Sequence, residues 1–171
     1  MAVQFIVDSG SDLLPAECKK QGIIHLPLKV MFGTQEYRDG VDMTHREFYE
    51  RLVESDVLPT TSQVSPAEFA DAMEQVISAG DDAVVITLSS KLSGTYQSAV
   101  IAASEFPGRV FVVDSLSVSL GQRILVQQGL NLRDQGLSAQ QIAAALENIN
   151  VETLTPIEAM NELYKLKKML N

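Results

Sequence analysis

An α/β domain built on a parallel-core sheet with helices on both faces, followed by a helical tail, is the fold class that the sequence predicts. Two observations carry that prediction. Short continuous apolar runs, such as Ala83–Val84–Val85–Ile86 and Val110–Phe111–Val112–Val113, alternate with stretches of helical periodicity, and strands buried on both faces read this way. Three helix starts are also marked by a hydroxyl side chain with a Glu or Gln three residues on, at Thr44–Glu47, Ser65–Glu68 and Ser138–Gln141, the pattern of a capping box. The 171 residues, 46% hydrophobic and 20% charged, suit one domain with a real core.

Taken in order, Val3–Val7 is an apolar run ending in the polar turn Asp8–Ser9–Gly10–Ser11–Asp12, with a helix launched at Pro15, since proline is favoured at the first helical position. From Ile23 to Phe32 the alternation of Leu26, Leu28, Val30 and Phe32 predicts a strand with one buried face, and Pro27 confines it to an edge or an irregular start. Gly33–Thr34 turns the chain into a hairpin partner around Gln35–Arg38. The helix at Thr44 sets Phe48, Leu52 and Val53 on one face. A loop from Pro59 to Ser65 leads into the next helix, whose inward residues are Phe69, Met73, Val76 and Ile77. Strands at 83–88 and 109–113 follow, and after the second Leu120, Ile124, Leu125, Gln128 and Leu132 recur at helical spacing. The helix at Ser138 turns Ile142, Ala145, Leu146 and Ile149 inward.

Charge excludes some functions. A net charge of −9 and an isoelectric point near 4.6 disfavour sequence-independent binding to nucleic acid, which relies on Lys and Arg to neutralise phosphates, and disfavour anionic membrane surfaces likewise. No stretch approaches the 18 or so apolar residues of a membrane span, and the N-terminus lacks a signal-peptide pattern. The expectation is a cytoplasmic protein without membrane insertion. Cys18 reads as a buried structural thiol. His25 and His45 have no second ligand at metal spacing, so no metal or cofactor is expected.

Parallel sheets place ligand sites at the carboxyl ends of their strands, which gathers three turns on one rim: Asp8–Asp12, Ser89–Thr95 and Asp114–Ser115. The stretch Leu88–Ala99, LSSKLSGTYQSA, carries six hydroxyls among twelve residues and admits three readings. A serine nucleophile needs a base and a nucleophile elbow, and Ser93 lacks the flanking glycines. An anion cradle has free backbone N–H groups at a helix N-terminus beside Ser93, Gly94 and Thr95. A plain helix cap at Ser93 is what local pattern alone favours. Asp8 and Asp12 read either as paired carboxylates or as residues that accept backbone hydrogen bonds in the turn.

Five motifs in order, Phe5–Ser9 with Ser11–Leu13, Pro27–Val30, Thr60–Pro66, Ser93–Ala99 and Val112–Ser115 with Ser117–Gly121, resemble the DegV family of bacterial fatty-acid-binding proteins over residues 1–149. The resemblance implies a lipid carrier and not an enzyme, holding a long-chain fatty acid and presenting its carboxylate to a separate fatty-acid kinase. Carried over by motif, Thr61 and Ser93 would hydrogen-bond the carboxylate, with Ser62 and Gly94 shaping the pocket. Family members continue into a second α/β domain that supplies the rest of the acyl tunnel, a head-group His and a kinase-docking Arg. That domain has no counterpart in this sequence, so the expectation is a truncated or fused chain.

Residues 150–171 instead form a helical tail by pattern, with Thr155, Pro156 and Glu158 at its start and Ile157, Met160, Leu163, Tyr164, Leu166 and Leu170 as an apolar stripe. This segment is similar to the extreme C-terminus of the mismatch-repair protein MutS, which mediates self-association. A structural module that self-associates through residues 151–170 without binding lipid is therefore an alternative function. A small serine hydrolase is a further one.

Overall fold

The structure is a computed structural model and describes residues 2–149. The tail at 150–171, with the self-association segment 151–170, lies outside the described residues. The elements run β1 (Val3–Asp8), a 3-10 turn (Ser9–Ser11), α1 (Pro15–Gln21), β2 (Ile23–Leu26), β3 (Lys29–Phe32), β4 (Gln35–Arg38), α2 (His45–Glu54), β5 (Thr60–Ser62), α3 (Pro66–Ser78), β6 (Asp82–Thr87), α4 (Thr95–Ala103), β7 (Val110–Asp114), α5 (Leu120–Asp134) and α6 (Ala139–Glu147).

Four strands form a parallel sheet in the order β2-β1-β6-β7. Alternation along its central strands feeds two cores, because successive side chains leave a strand on opposite faces. Phe5, Val7, Val84 and Ile86 point to one face and meet Leu125 and Leu130 of α5 and Ile142 and Leu146 of α6. Ile6, Ala83 and Val85 point to the other and meet Phe69, Met73 and Val76 of α3 and Ala99 and Ala102 of α4. The central strands are closed to solvent, which is why they read as unbroken apolar runs.

Three capping boxes close where they were expected. Thr44, Ser65 and Ser138 accept from the N–H groups of Glu47, Glu68 and Gln141. Other expectations need correction. The run from Ile23 to Phe32 is not one strand: it leaves the parallel sheet after Leu26 and resumes at Lys29 in a second, antiparallel sheet of order β4-β3-β5. Pro27, which cannot donate to a ladder, sits at the break, and the Leu28 N–H donates to Ser9 Oγ at 3.0 Å instead. Part of the expected loop is strand β5, paired with β3 through Thr61 opposite Val30. Helix α2 buries no residue, and Val53 is 86% exposed. Leu120 is also exposed, at the mouth of α5.

Candidate functional site

The carboxyl ends of the parallel strands converge as the fold class requires. Leu88 N–H donates to Asp8 Oδ2 at 2.8 Å, Ser89 N–H to Ser117 O at 2.8 Å and Ser119 N–H to Gly10 O at 2.6 Å. Three loops remote in sequence are thereby tied into one rim. Asp8 and Asp12 are not equivalent there. Asp8 is fully buried and accepts from the Gly10 and Leu88 amides and from Gln122 Nε2, and its pKa is raised to about 6 by loss of hydration, against the lowering effect of those hydrogen bonds. Asp12 is exposed and accepts from Ser119 Oγ. The turn reading, not a carboxylate pair, describes them. Cys18 is buried, its thiol pushed up to about 11 chiefly by burial.

Beside this rim lies a cavity of about 440 Å³ bounded on one side by Thr61, Ser62 and Gln63 and on the other by Leu88, Leu92, Ser93 and Gly94, with Leu28 between. The four residues singled out from the sequence, Thr61, Ser62, Ser93 and Gly94, thus line one space although the two pairs are about thirty positions apart, one on strand β5 and the other in the turn before α4. Among the described residues no charged side chain lines it. Ser93 is half-buried; its Oγ shares a 2.9 Å hydrogen bond with Thr95 Oγ1 and accepts from the Thr95 N–H at 3.2 Å. Gly94, not Ser93, is the N-cap of α4, and it supplies no side-chain cap. The N–H groups of Gly94, Tyr96 and Gln97 have no acceptor among the described residues, so donors at the positive end of the helix dipole remain available. Thr61 and Ser62 are exposed, and their hydroxyls are unpaired among the described residues.

A second cavity of about 540 Å³ adjoins the first at Leu28 and Thr61, which line both. Its apolar lining is Leu28, Val30, Met43, Phe48 and Tyr49, and Asp12, Asp39, Thr44, His45 and Thr61 also line it. A neutral, hydroxyl-lined space opening into an apolar one can take an amphiphile with a small anionic head, since neutral donors and a helix N-terminus stabilise an anion. For the nucleophile reading, Ser93 Oγ has Thr95 as its side-chain partner, while His25 Nε2 is buried without one. Sequence reasoning missed the apolar lining and Gln63. The first was hidden because α2 does not bury its stripe; the second stood inside the motif Thr60–Pro66, but its hydrogen-bond partner, Ser98, is 35 positions away.

The profile of the family described as "Uncharacterised protein, DegV family" matches residues 2–168. A DegV domain-containing protein of Deinococcus radiodurans is 40% identical over 149 residues, covering 87% of this chain and 53% of the relative. Among solved structures, a fatty-acid-binding DegV family protein of Thermus thermophilus matches with a TM-score of 0.79 and 38% identity, over 86% of this chain and 52% of that one. The Streptococcus pneumoniae Fatty Acid Kinase (Fak) B3 protein loaded with linoleic acid matches with a TM-score of 0.73 and 25% identity, over 85% and 53%. The chain therefore spans about half the length of the proteins it matches.

Proposed function

The chain belongs to the DegV family, and from that premise we propose that it is a lipid-binding domain, not an enzyme, that holds the carboxylate of a long-chain fatty acid. Thr61 and Ser93 donate to the carboxylate, Ser62 and Gly94 shape the space around it, and the acyl chain passes Leu28 and Thr61 toward Val30, Met43 and Phe48. The observation that carries the reading is the junction of the neutral hydroxyl-lined cavity at the N-terminus of α4 with the apolar one. A head group held by neutral donors keeps its oxygens reachable, which suits presentation to a fatty-acid kinase, the partner we assign to the whole protein. The domain boundary falls at 149/150, and the compartment is the cytoplasm.

Each buried CH₂ contributes about 0.8 kcal/mol, so a domain that encloses only part of an acyl chain binds more weakly than a longer family member. The test is lipid extraction and mass spectrometry of the purified protein, with titration of the wild type, Ser93→Ala and Thr61→Val against oleic acid. Each substitution removes one donor to a charged group, worth about 1.5–3 kcal/mol, so affinity should fall at least tenfold. Wild-type protein that neither carries nor binds fatty acid overturns the reading.

Exposed apolar side chains favour a second reading. Leu92, Leu116 and Val118 on the rim loops and Leu120 at the start of α5 stand at least 43% exposed, more than a lone domain needs to show. A self-associating structural module would cover them. Sedimentation that finds a monomer with and without residues 151–170 removes this reading.

A further inference from the structure

One wall of the head-group cavity is strand β5 and the other the turn between β6 and α4, and a side chain that neither wall's hydroxyls account for joins them. Gln63 follows the end of β5, which among the described residues is an edge strand paired with β3 alone. Its Nε2 donates to Ser98 Oγ at 2.9 Å, and Ser98, 1% exposed, sits in the first turn of α4. Among the described residues this is the one side-chain hydrogen bond between the Thr60–Gln63 segment and that helix.

Gly94 shows the same contact from the other side. Its φ of −72° and ψ of 0° are open to any residue, so conformation does not demand glycine. Space instead couples it to Gln63: a β-carbon there would lie 2.0 Å from Gln63 Oε1 and 3.0 Å from its Cδ, so the carboxamide would have to move. The carboxamide lies against the bare backbone of the helix cap, and a side chain at position 94 would displace it from this place. A neutral amide also fits the electrostatics, because a carboxylate at this place would compete for the helix N-terminus.

Resting on the head-group reading above, we propose that Gln63 is a positioning residue, whose carboxamide clamps the Thr61–Ser62 strand to the Ser93–Gly94 turn so that both walls face one carboxylate. It holds the spacing between donors without itself donating to the ligand.

The test is titration of wild type, Gln63→Ala and Gln63→Glu with oleic acid and, in parallel, with oleyl alcohol, which has the same chain and no carboxylate. Wild type should prefer the acid. Gln63→Ala should lose about tenfold in acid affinity, the scale of a displaced charge-assisted hydrogen bond, with alcohol affinity within about twofold and the thermal midpoint unchanged. Gln63→Glu should lose more, again for the acid only. Gly94→Ala should reproduce Gln63→Ala, and the double variant should be no worse than either single one, because both release the same clamp. If Gln63→Ala keeps the acid-over-alcohol preference, or weakens acid and alcohol equally, the positioning role is wrong while the head-group site stands. If wild type shows no preference for the acid, the head-group reading itself fails and the clamp falls with it.

Discussion

The parallel layer, through the turn between β6 and α4, and the small antiparallel sheet each supply one wall of the cavity, yet they are anchored to different degrees. In the parallel layer, Phe5, Ile6, Val7, Phe69, Met73 and Ile142 are sealed from solvent. In the antiparallel layer, α2 buries nothing, Thr60–Ser62 is exposed, and Val53, Val57, Leu58 and Tyr49 are each more than 60% exposed. That layer is held by edge-on aromatic contacts, Phe32 with Phe48 at 5.8 Å and with Tyr37 at 6.5 Å, and by the Arg51 guanidinium 4.9 Å from the Tyr37 ring. Ser93 and Gly94 are carried by the well-buried layer, Thr61 and Ser62 by the thinly buried one. The proposed head-group site would then have one fixed wall and one that can yield to its guest, since regions with few buried contacts open at lower cost than the core.

The largest expected effect measures this contrast directly. Phe5→Ala empties a fully buried site beside Gly129, whose Cβ position lies 2.6 Å from the Phe5 ring, and should destabilise the protein by about 3–5 kcal/mol. Phe48→Ala, half-buried in the antiparallel layer, should cost less than half as much in the same urea titration. Equal losses would mean that the two layers unfold as one equally packed unit, and the contrast would be broken.

The next effect compares two aspartates with opposite shifts. Asp8, in the parallel layer, is raised to about 6 by burial; Asp42, exposed in the antiparallel layer, is pulled down to about 2 by hydrogen bonds from Arg38. A raised folded-state pKa favours the protonated form, so the contribution of Asp8 is fully present below its ordinary value of 3.8 and is lost as pH rises through about 6. Asp8→Asn removes that dependence. Relative to wild type, the variant should gain on the order of 2–3 kcal/mol between pH 4 and pH 7.5, on top of any constant offset from the changed hydrogen bonds. For Asp42 the sign reverses: its contribution is present above about pH 4 and lost as pH falls through about 2, so Asp42→Asn should leave the profile from pH 4 to 7.5 unchanged. Denaturant midpoints across pH for the three proteins decide it.

The parallel layer was legible in the sequence and the antiparallel one was only half so, for the same physical reason. Val84, Val85 and Ile86 announce a strand because both faces are covered, and the capping boxes at Thr44, Ser65 and Ser138 announce helices because a cap is a local interaction. Strand β5 announces little: Thr60–Thr61–Ser62 is exposed, and only its pairing with Lys29–Met31 makes it a strand. The break at Pro27 was half visible, since proline marks an interruption without saying that the chain changes sheets. Gln122, fully buried with Nε2 on Asp8 Oδ1 and Ile86 O, was hidden for the opposite reason. A polar residue at an inward position looks like an interruption until its partners, up to 114 positions away, are known. In the site, the motifs named Thr61, Ser62, Ser93 and Gly94, but the clamp through Gln63 needed coordinates because it acts on a helix 35 residues on.

The smallest effect sharpens the contrast most. Val53 belongs to the apolar stripe expected of α2, yet it stands 86% exposed, so Val53→Lys should change stability by no more than about 0.5 kcal/mol, as surface substitutions do. Lysine is also a somewhat better helix former than valine, which sets the expected sign at neutral or slightly stabilising. The outcome separates two physical causes for an apolar residue on an open face. If the substitution is neutral, the stripe of α2 contributes nothing to this domain's folding, and the thin layer is as lightly held in solution as its burial implies. If instead Val53→Lys costs more than about 1 kcal/mol in equilibrium denaturation, the outer face of α2 is covered in solution. The wall that carries Thr61 is then stiffened by that cover, and the contrast between a fixed and a yielding wall would belong to the isolated domain alone.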